Sequence, residues 1–223
     1  MVNALDARDP YTRGHSHRVA MIGRRLAQAI GMSKDEVEEI FMTGLLHDIG
    51  KIGVPDHVLL KNGPLDPEQR RQIEQHAVIG HSILKPVAQL RHVLPGVLHH
   101  HEKMDGTGYP NQLKGRDIPI AGRILAVADA FDAMTTSRPY RKAMPLVEAV
   151  QILLAGVGTH WDDVIVDAFF QSLADIHRIY EQHGAPEEEQ TESLLQSGPF
   201  EDLTLNRLAG LEELSHSAAR PTP

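Results

Sequence analysis

Leu45-Leu46-His47-Asp48-Ile49-Gly50-Lys51 decides how the rest of the chain is read. An apolar, helix-like run ends in a histidine and an aspartate side by side. A glycine follows to stop the helix, and a lysine stands one turn beyond the histidine. Neutral imidazole and carboxylate are the ligands that borderline and hard divalent metals prefer. The two oxygens of Asp48 suit it to bridging a pair of ions, with His47 holding one of them. Lys51, at i+4 from His47, reaches the same place if the turn persists. A C-capped helix with a cation favoured by its dipole accounts for the stretch equally well, so the choice rests on the flanking sequence.

Upstream, Val19, Ile22, Leu26 and Ile30 recur at steps of three and four, and His15 to Ile30 is expected to be an amphipathic helix closed by Gly31. Ser33 and Glu36 make a capping-box pattern for a second helix, which turns Val37, Ile40, Phe41 and Leu45 inward and delivers His47-Asp48 at its end. Asp66, Pro67 and Gln69 read as N-cap, N1 and N3 of a third, long helix that carries His76. Apolar Val93 to Leu98 leads into His99, His100 and His101. The turn-rich Asp105-Gly106-Thr107-Gly108-Tyr109-Pro110 follows, and a polar loop continues to Pro119. The glycines there allow backbone turns closed to alanine. Ile120 to Met134 is strongly apolar yet contains Asp129 and Asp132, and Val164 to Tyr180 reads as the last helix of the body. No stretch alternates as a strand requires, so the fold class is all-α. Met1 to Ala7 resembles a helix tail running into Asp9-Pro10, as in a domain attached to something upstream. After Gly184 the chain turns acidic, and Leu205, Leu208, Leu211 and Leu214 fall at steps of three. The expected division is a body over 1–184 and an acidic linker with a short amphipathic helical extension over 185–223.

With 223 residues and 41% hydrophobic content, the chain supports one sizeable core or a domain with an appendage. Aromatics are only 4%, so aliphatic side chains must fill that core. No apolar run approaches the ~20 residues of a membrane span, and no secretory signal is visible. Cysteine is absent, which removes disulfides, thiolate ligands and cysteine nucleophiles and fits a reducing, cytoplasmic setting. The net charge of −8 is unevenly placed: residues 185–223 hold eight acidic and two basic residues (−6), and residues 1–184 hold 22 and 20 (−2). A nearly neutral body offers no footprint for a nucleic-acid polymer. Local cations must hold any anionic substrate.

The candidate metal ligands, in chain order, are His15, His47, Asp48, His76, His99, His100, His101, Asp129 and Asp132. A lone helical histidine such as His76 is more often a satisfied core or surface residue than a ligand. Asp129 is harder to dismiss, because burying a carboxylate without a cation, metal or hydrogen bonds costs several kcal/mol. Successive helical residues point ~100° apart, so two of the three consecutive histidines can flank one cluster, and spacing alone does not say which pair.

Taken together, from about Asp9 to Asp167, these positions resemble the HD-GYP family of HD-domain phosphohydrolases. The resemblance rests on Asp-Pro-Tyr-Thr-Arg-Gly-His at 9–15, His-Asp-Ile-Gly-Lys at 47–51, His76 with Gly80, His-His-Glu at 100–102, Asp-Gly-Thr-Gly-Tyr-Pro at 105–110, and the run from Ala128 to Arg141, in that order. It implies an HD-domain helical bundle, a cluster of iron or manganese ions, and hydrolysis of the bacterial second messenger cyclic di-GMP. The implied metal ligands are His47, Asp48 (bridging), His76, His100, His101 and Asp129, with His99 a neighbour. His15 matches a further ligand position used by members with three metals.

Two metals ~3.5–4 Å apart generate hydroxide at neutral pH and clamp a phosphoryl group. In that reading Asp48 and Lys51 are catalytic, with Lys51 contacting the phosphate and protonating the leaving ribose oxygen. Asp9, Lys51, Asp132, Arg138 and Arg141 are the expected substrate contacts, and the arginine forks suit the second phosphate or a guanine edge. Exposed solvating arginines are the plainer account of Arg138 and Arg141. Three-metal members carry a glutamate where this chain has Tyr11, and a phenol is a poor bridge for a hard ion. About two metals and a linear dinucleotide as main early product, with slow onward cleavage to GMP, are therefore expected. The alternatives are a cyclic di-GMP-binding module with little hydrolysis, a different HD-type nucleotide phosphohydrolase, or action on a mixed cyclic dinucleotide such as cyclic GMP-AMP. Possible partners are a diguanylate-cyclase domain at the 105–110 loop, an upstream sensor domain and a second copy in a homodimer.

Overall fold

Polar caps set where the helices begin. In the computed structural model, which describes residues 14–137 and 142–183, α1 spans His15–Ala29 and α2 spans Lys34–Leu46. The Ser33 side chain accepts from the Glu36 N–H while the Glu36 carboxylate takes the Ser33 N–H, the expected capping box. A 3₁₀ turn over Ile49–Gly53 and the short α3, Asp56–Leu59, follow. Asp66 and Gln69 form a second capping box at the start of α4, Pro67–Glu74.

The long helix expected here is two, because α4 gives way at Gln75 to α5, His76–Leu84. The break coincides with the His76 imidazole bonding back to the Ile73 carbonyl at 2.7 Å, in competition with the helix's own ladder. A 3₁₀ turn over Ala88–Val93 leads into α6, Leu94–His99, and α7 is Ile120–Thr135. α8, Leu146–Ala155, lies in a stretch that the sequence reading passed over. The expected last helix is also two, α9 Asp163–Gln171 and α10 Leu173–His183, parted at Ser172. Among the described residues there is no β-strand, only an isolated bridge between Val157 and Trp161.

Two apolar clusters hold this all-α body. The larger joins α1, α2, α7, α8, α9 and α10 through Leu26, Ile40, Phe131, Leu153, Phe169 and Ile176. The smaller gathers Leu46, Ile49, Leu84, Val93 and Val97, around the helix ends that carry His47 and His100. No described helix is long and apolar enough to cross a membrane. The expected helix tail at Met1–Ala7, and the linker and helix at 185–223, lie outside the described residues.

Gly50 has a different purpose from the one its position suggested. α2 has already ended at Leu46, and the 3₁₀ turn runs straight through Gly50. A Cβ at this position would sit 1.8 Å from the His76 carbonyl oxygen and 2.4 Å from the Gly80 nitrogen. The glycine therefore lets two ligand-bearing segments touch backbone to backbone. Gly50→Ala is expected to destabilise the metal-free chain by about 2–3 kcal/mol, read as a lowered urea midpoint. An unchanged midpoint would show that this approach is not needed.

Candidate metal centre

Helix C-termini leave carbonyls without intrahelical partners, and here histidines fill them. His47 Nδ1 lies 2.7 Å from the Gly44 oxygen at the end of α2, and His76 Nδ1 lies 2.7 Å from the Ile73 oxygen at the end of α4. His100 Nδ1 lies 2.9 Å from the Val97 oxygen at the end of α6. A carbonyl only accepts, so each Nδ1 carries the proton and each Nε2 keeps a bare lone pair. His76 Nε2 and His100 Nε2 nevertheless stand 3.2 Å apart. Two acceptors at that distance repel unless a cation sits beside them. The buried Nε2 atoms of His15 and His47 likewise have no hydrogen-bond partner among the described residues.

Carboxylates complete the cluster. Asp48 presents Oδ2 to His47 Nε2 at 3.4 Å and to His15 Nε2 at 3.7 Å, and Oδ1 to His76 Nε2 at 3.4 Å. Its two oxygens thus face different histidines, as a bridging carboxylate's would. Asp129 Oδ1 is 3.3 Å from His15 Nε2. Three groups have ligand atoms mutually within 4.8 Å: His76, His100 and His101; His15, His47 and Asp129; and His47, Asp48 and His100. Lys51 does reach back, with Nζ 2.5 Å from Asp48 Oδ2.

The protonation states suit a metal. Burial pushes the His101 imidazole down to about 3 and holds His76 and His100 below their ordinary value, so all are neutral ligands near pH 7. Burial also opposes ionisation of Asp48, but the Lys51 cation and the surrounding histidines outweigh it and keep the carboxylate charged. Imidazole nitrogen and carboxylate oxygen suit iron, manganese and zinc alike. Among the described residues, the donor set, the unpartnered nitrogens and the facing lone pairs all fit divalent ions.

His15 is held differently. Its Nδ1 lies 2.7 Å from Asp132 Oδ2, the arrangement in which a carboxylate fixes a ligand histidine's tautomer. Asp132, expected to touch substrate, is instead fully buried and already engaged. Its oxygens accept from Arg18 Nε at 2.6 Å, from the second Arg18 nitrogen at 3.0 Å and from the Tyr180 hydroxyl at 2.8 Å. Asp132 thus bonds His15, Arg18 and Tyr180 at once. Burial disfavours the His15 imidazolium, but the Asp129 and Asp132 carboxylates facing its two nitrogens more than compensate and raise it to about 9 in the metal-free chain. Sequence reasoning missed Arg18 and Tyr180. Arg18 follows His15 by one helical turn, a usable signal; Tyr180 comes from α10 and offered none.

The loop after α6 is clipped to the same site. Glu102, buried, accepts from the Asn111 N–H at 2.7 Å and the Leu113 N–H at 3.0 Å. Of the expected turn glycines, Gly106 does adopt a left-handed φ of 83°. Gly108 is needed for proximity instead, since a Cβ there would lie 2.4 Å from the Lys103 nitrogen and 2.6 Å from the His101 oxygen. Its neighbour Tyr109 stacks on the His101 ring. Asp9, Tyr11, Arg138 and Arg141 lie outside the described residues.

The profile of the HD domain family matches residues 1–165. The chain is 44% identical over 177 residues to a cyclic di-GMP phosphodiesterase of Thermotoga maritima, a match covering 78% of this chain and 48% of that protein. It is 38% identical over 173 residues to 3′3′-cGAMP-specific phosphodiesterase 2 of Vibrio cholerae, covering 77% of this chain and 33% of that one. It thus spans half or less of the length of these curated relatives. Among solved structures, a cyclic GMP-AMP-specific phosphodiesterase of V. cholerae superposes with a TM-score of 0.61 at 21% identity, over 81% of this chain and 51% of the other, which speaks for the fold. With its all-α body and its ordered histidine and aspartate motifs, the chain belongs to the HD domain family, in the HD-GYP group that those motifs mark.

Proposed function

We propose that this chain is the hydrolytic part of a metal-dependent cyclic dinucleotide phosphodiesterase that opens cyclic di-GMP to linear pGpG and, more slowly, to GMP. The observation that carries the metal-dependent reading is the pair of unprotonated Nε2 atoms of His76 and His100 at 3.2 Å, with the charged Asp48 carboxylate beside them. Curated relatives named as cyclic di-GMP phosphodiesterases support the substrate class.

His47, Asp48, His76, His100, His101 and Asp129 would hold about two divalent ions, iron or manganese, and His15 stands as a further ligand. Bound there, such ions would polarise the phosphoryl oxygens and activate water. The chain's own residues do the rest. Nδ1–H bonds to three backbone carbonyls fix the ligand rings so that only Nε2 faces inward. Lys51 Nζ, anchored on Asp48 and with a side chain 17% exposed, holds a proton at the edge of the cluster. That proton goes to the departing ribose oxygen. Arg138 and Arg141 would grip the second phosphate or a guanine edge. A bacterial cytoplasmic setting, a regulatory domain elsewhere in the polypeptide, a diguanylate-cyclase partner and a homodimer belong to the same proposal.

The second reading, action on 3′3′-cGAMP, is favoured by relatives whose names carry that specificity. Incubating the manganese-loaded chain with each cyclic dinucleotide and resolving products by chromatography tests both. Accumulating pGpG with slow GMP is the expected result. Preferential opening of 3′3′-cGAMP would favour the second reading, and no linear product from either would leave a binding module or a different HD-type nucleotide phosphohydrolase.

A further inference from the structure

Four of the five inward-facing histidines have their distal nitrogen fixed by an acceptor. His47, His76 and His100 use backbone carbonyls, and His15 uses Asp132. Among the described residues, His101 has no such hydrogen bond. Its imidazole lies instead between two rings, that of His100 at 4.1 Å and 44°, and that of Tyr109 at 4.8 Å and 30°.

Resting on the metal-centre reading above, we propose that Tyr109 is a positioning residue that orients His101 by ring stacking, so that the 105–113 loop tunes the affinity of the metal subsite formed by His76, His100 and His101.

Main-chain contacts and one side-chain carboxylate, that of Glu102, bring Tyr109 to this place. Gly108 packs its bare Cα against the Glu102–Lys103 backbone, where a side chain would collide. The Tyr109 N–H donates to the His101 carbonyl at 3.2 Å, so ring and ligand are also tied at the main chain. Glu102, one residue beyond His101, holds the far side of the loop through Asn111 and Leu113. At the near side, the Asp105 N–H donates to the Thr159 carbonyl at 2.8 Å and the Met104 N–H to the His160 carbonyl at 3.3 Å. The loop is thereby fixed at both ends relative to His101, and a segment so tied transmits its position to the stacked imidazole. A hydrogen bond would set a tautomer as well as an angle. Stacking sets only the ring plane, which leaves His101 the ligand whose orientation depends most on its neighbour's side chain.

The test is manganous ion titrated into the metal-free full chain, with free manganese counted by electron paramagnetic resonance. Tyr109→Phe keeps the ring and is expected to bind within about twofold of the unmodified chain, since the stack needs no hydroxyl. Tyr109→Leu keeps bulk without a ring and is expected to lose about tenfold or more at one subsite, the loss seen when a ligand's support is removed. Its metal-free melting temperature should stay close to that of the unmodified chain. Tyr109→Met takes its place if the leucine variant does not melt cooperatively. Equal affinity of the leucine and unmodified chains would overturn the proposal, as would an equal loss in Tyr109→Phe. An unmodified chain that binds no manganese would instead bring down the metal-centre reading, and this inference with it.

Discussion

Replacing Lys51 by alanine is expected to cost on the order of 10²–10⁴ in turnover while leaving the metal content unchanged. Lys51 Nζ sits 2.5 Å from Asp48 Oδ2 on the 3₁₀ turn that follows the ligand pair. Removing it takes away a proton donor and one positive charge. It does not take away a metal ligand, because an ammonium has no lone pair to give. Asp48 keeps its facing histidines, His47 and His76, and so keeps its place in the cluster. Turnover and metal content should therefore separate. A Lys51→Ala chain with undiminished turnover would remove the lysine from the proton transfer, and one that loses its metal would make it a structural counter-ion.

His100→Ala should show the opposite pattern, with metal and hydrolysis lost together. His100 belongs to two of the three ligand groups, and its Nε2 faces His76 Nε2 at 3.2 Å. Truncating it opens both groups at once, so the remaining ligands are left one short on each side. Elemental analysis of the variant should find well under one ion per chain, against about two in the unmodified protein. The helices should survive, because the side chain lies at the end of α6 and the apolar clusters do not depend on it. Full occupancy in His100→Ala would show that this nitrogen is not a ligand.

Much of this was legible in the chain itself, for physical reasons that can be named. Capping boxes at Ser33 and Asp66 are local, so the starts of α2 and α4 fell where the sequence placed them. The seven inward-facing residues from His15 to Asp129 were legible because they fall in the motifs that carry the family resemblance, and the structure brings them together. What stayed hidden depends on distance or on backbone. The Tyr180 hydroxyl meets Asp132 across 48 residues, and no local pattern announces that contact. Asp132 reads as a substrate contact because it is a carboxylate near the others; its bonds to His15, Arg18 and Tyr180 come from separate helices that no local pattern relates. Gly50 reads as a helix stop in sequence, since a glycine chosen for closeness and one chosen for a turn are the same letter. The breaks at Gln75 and Ser172 lie inside stretches whose apolar spacing runs on, so periodicity alone could not find them. The helix over Leu146–Ala155 begins after Pro145 without a side-chain cap, and lacks the start signal that marked α2 and α4.

The central claim is that the histidine and aspartate cluster opens a phosphodiester only with metal bound. It is tested most directly by following cyclic di-GMP hydrolysis in one sample before chelation, after chelation and dialysis, and after manganese is restored. The account predicts that linear product stops forming when the metal is removed and forms again when manganese returns. Hydrolysis that continues in the metal-free chain would contradict it.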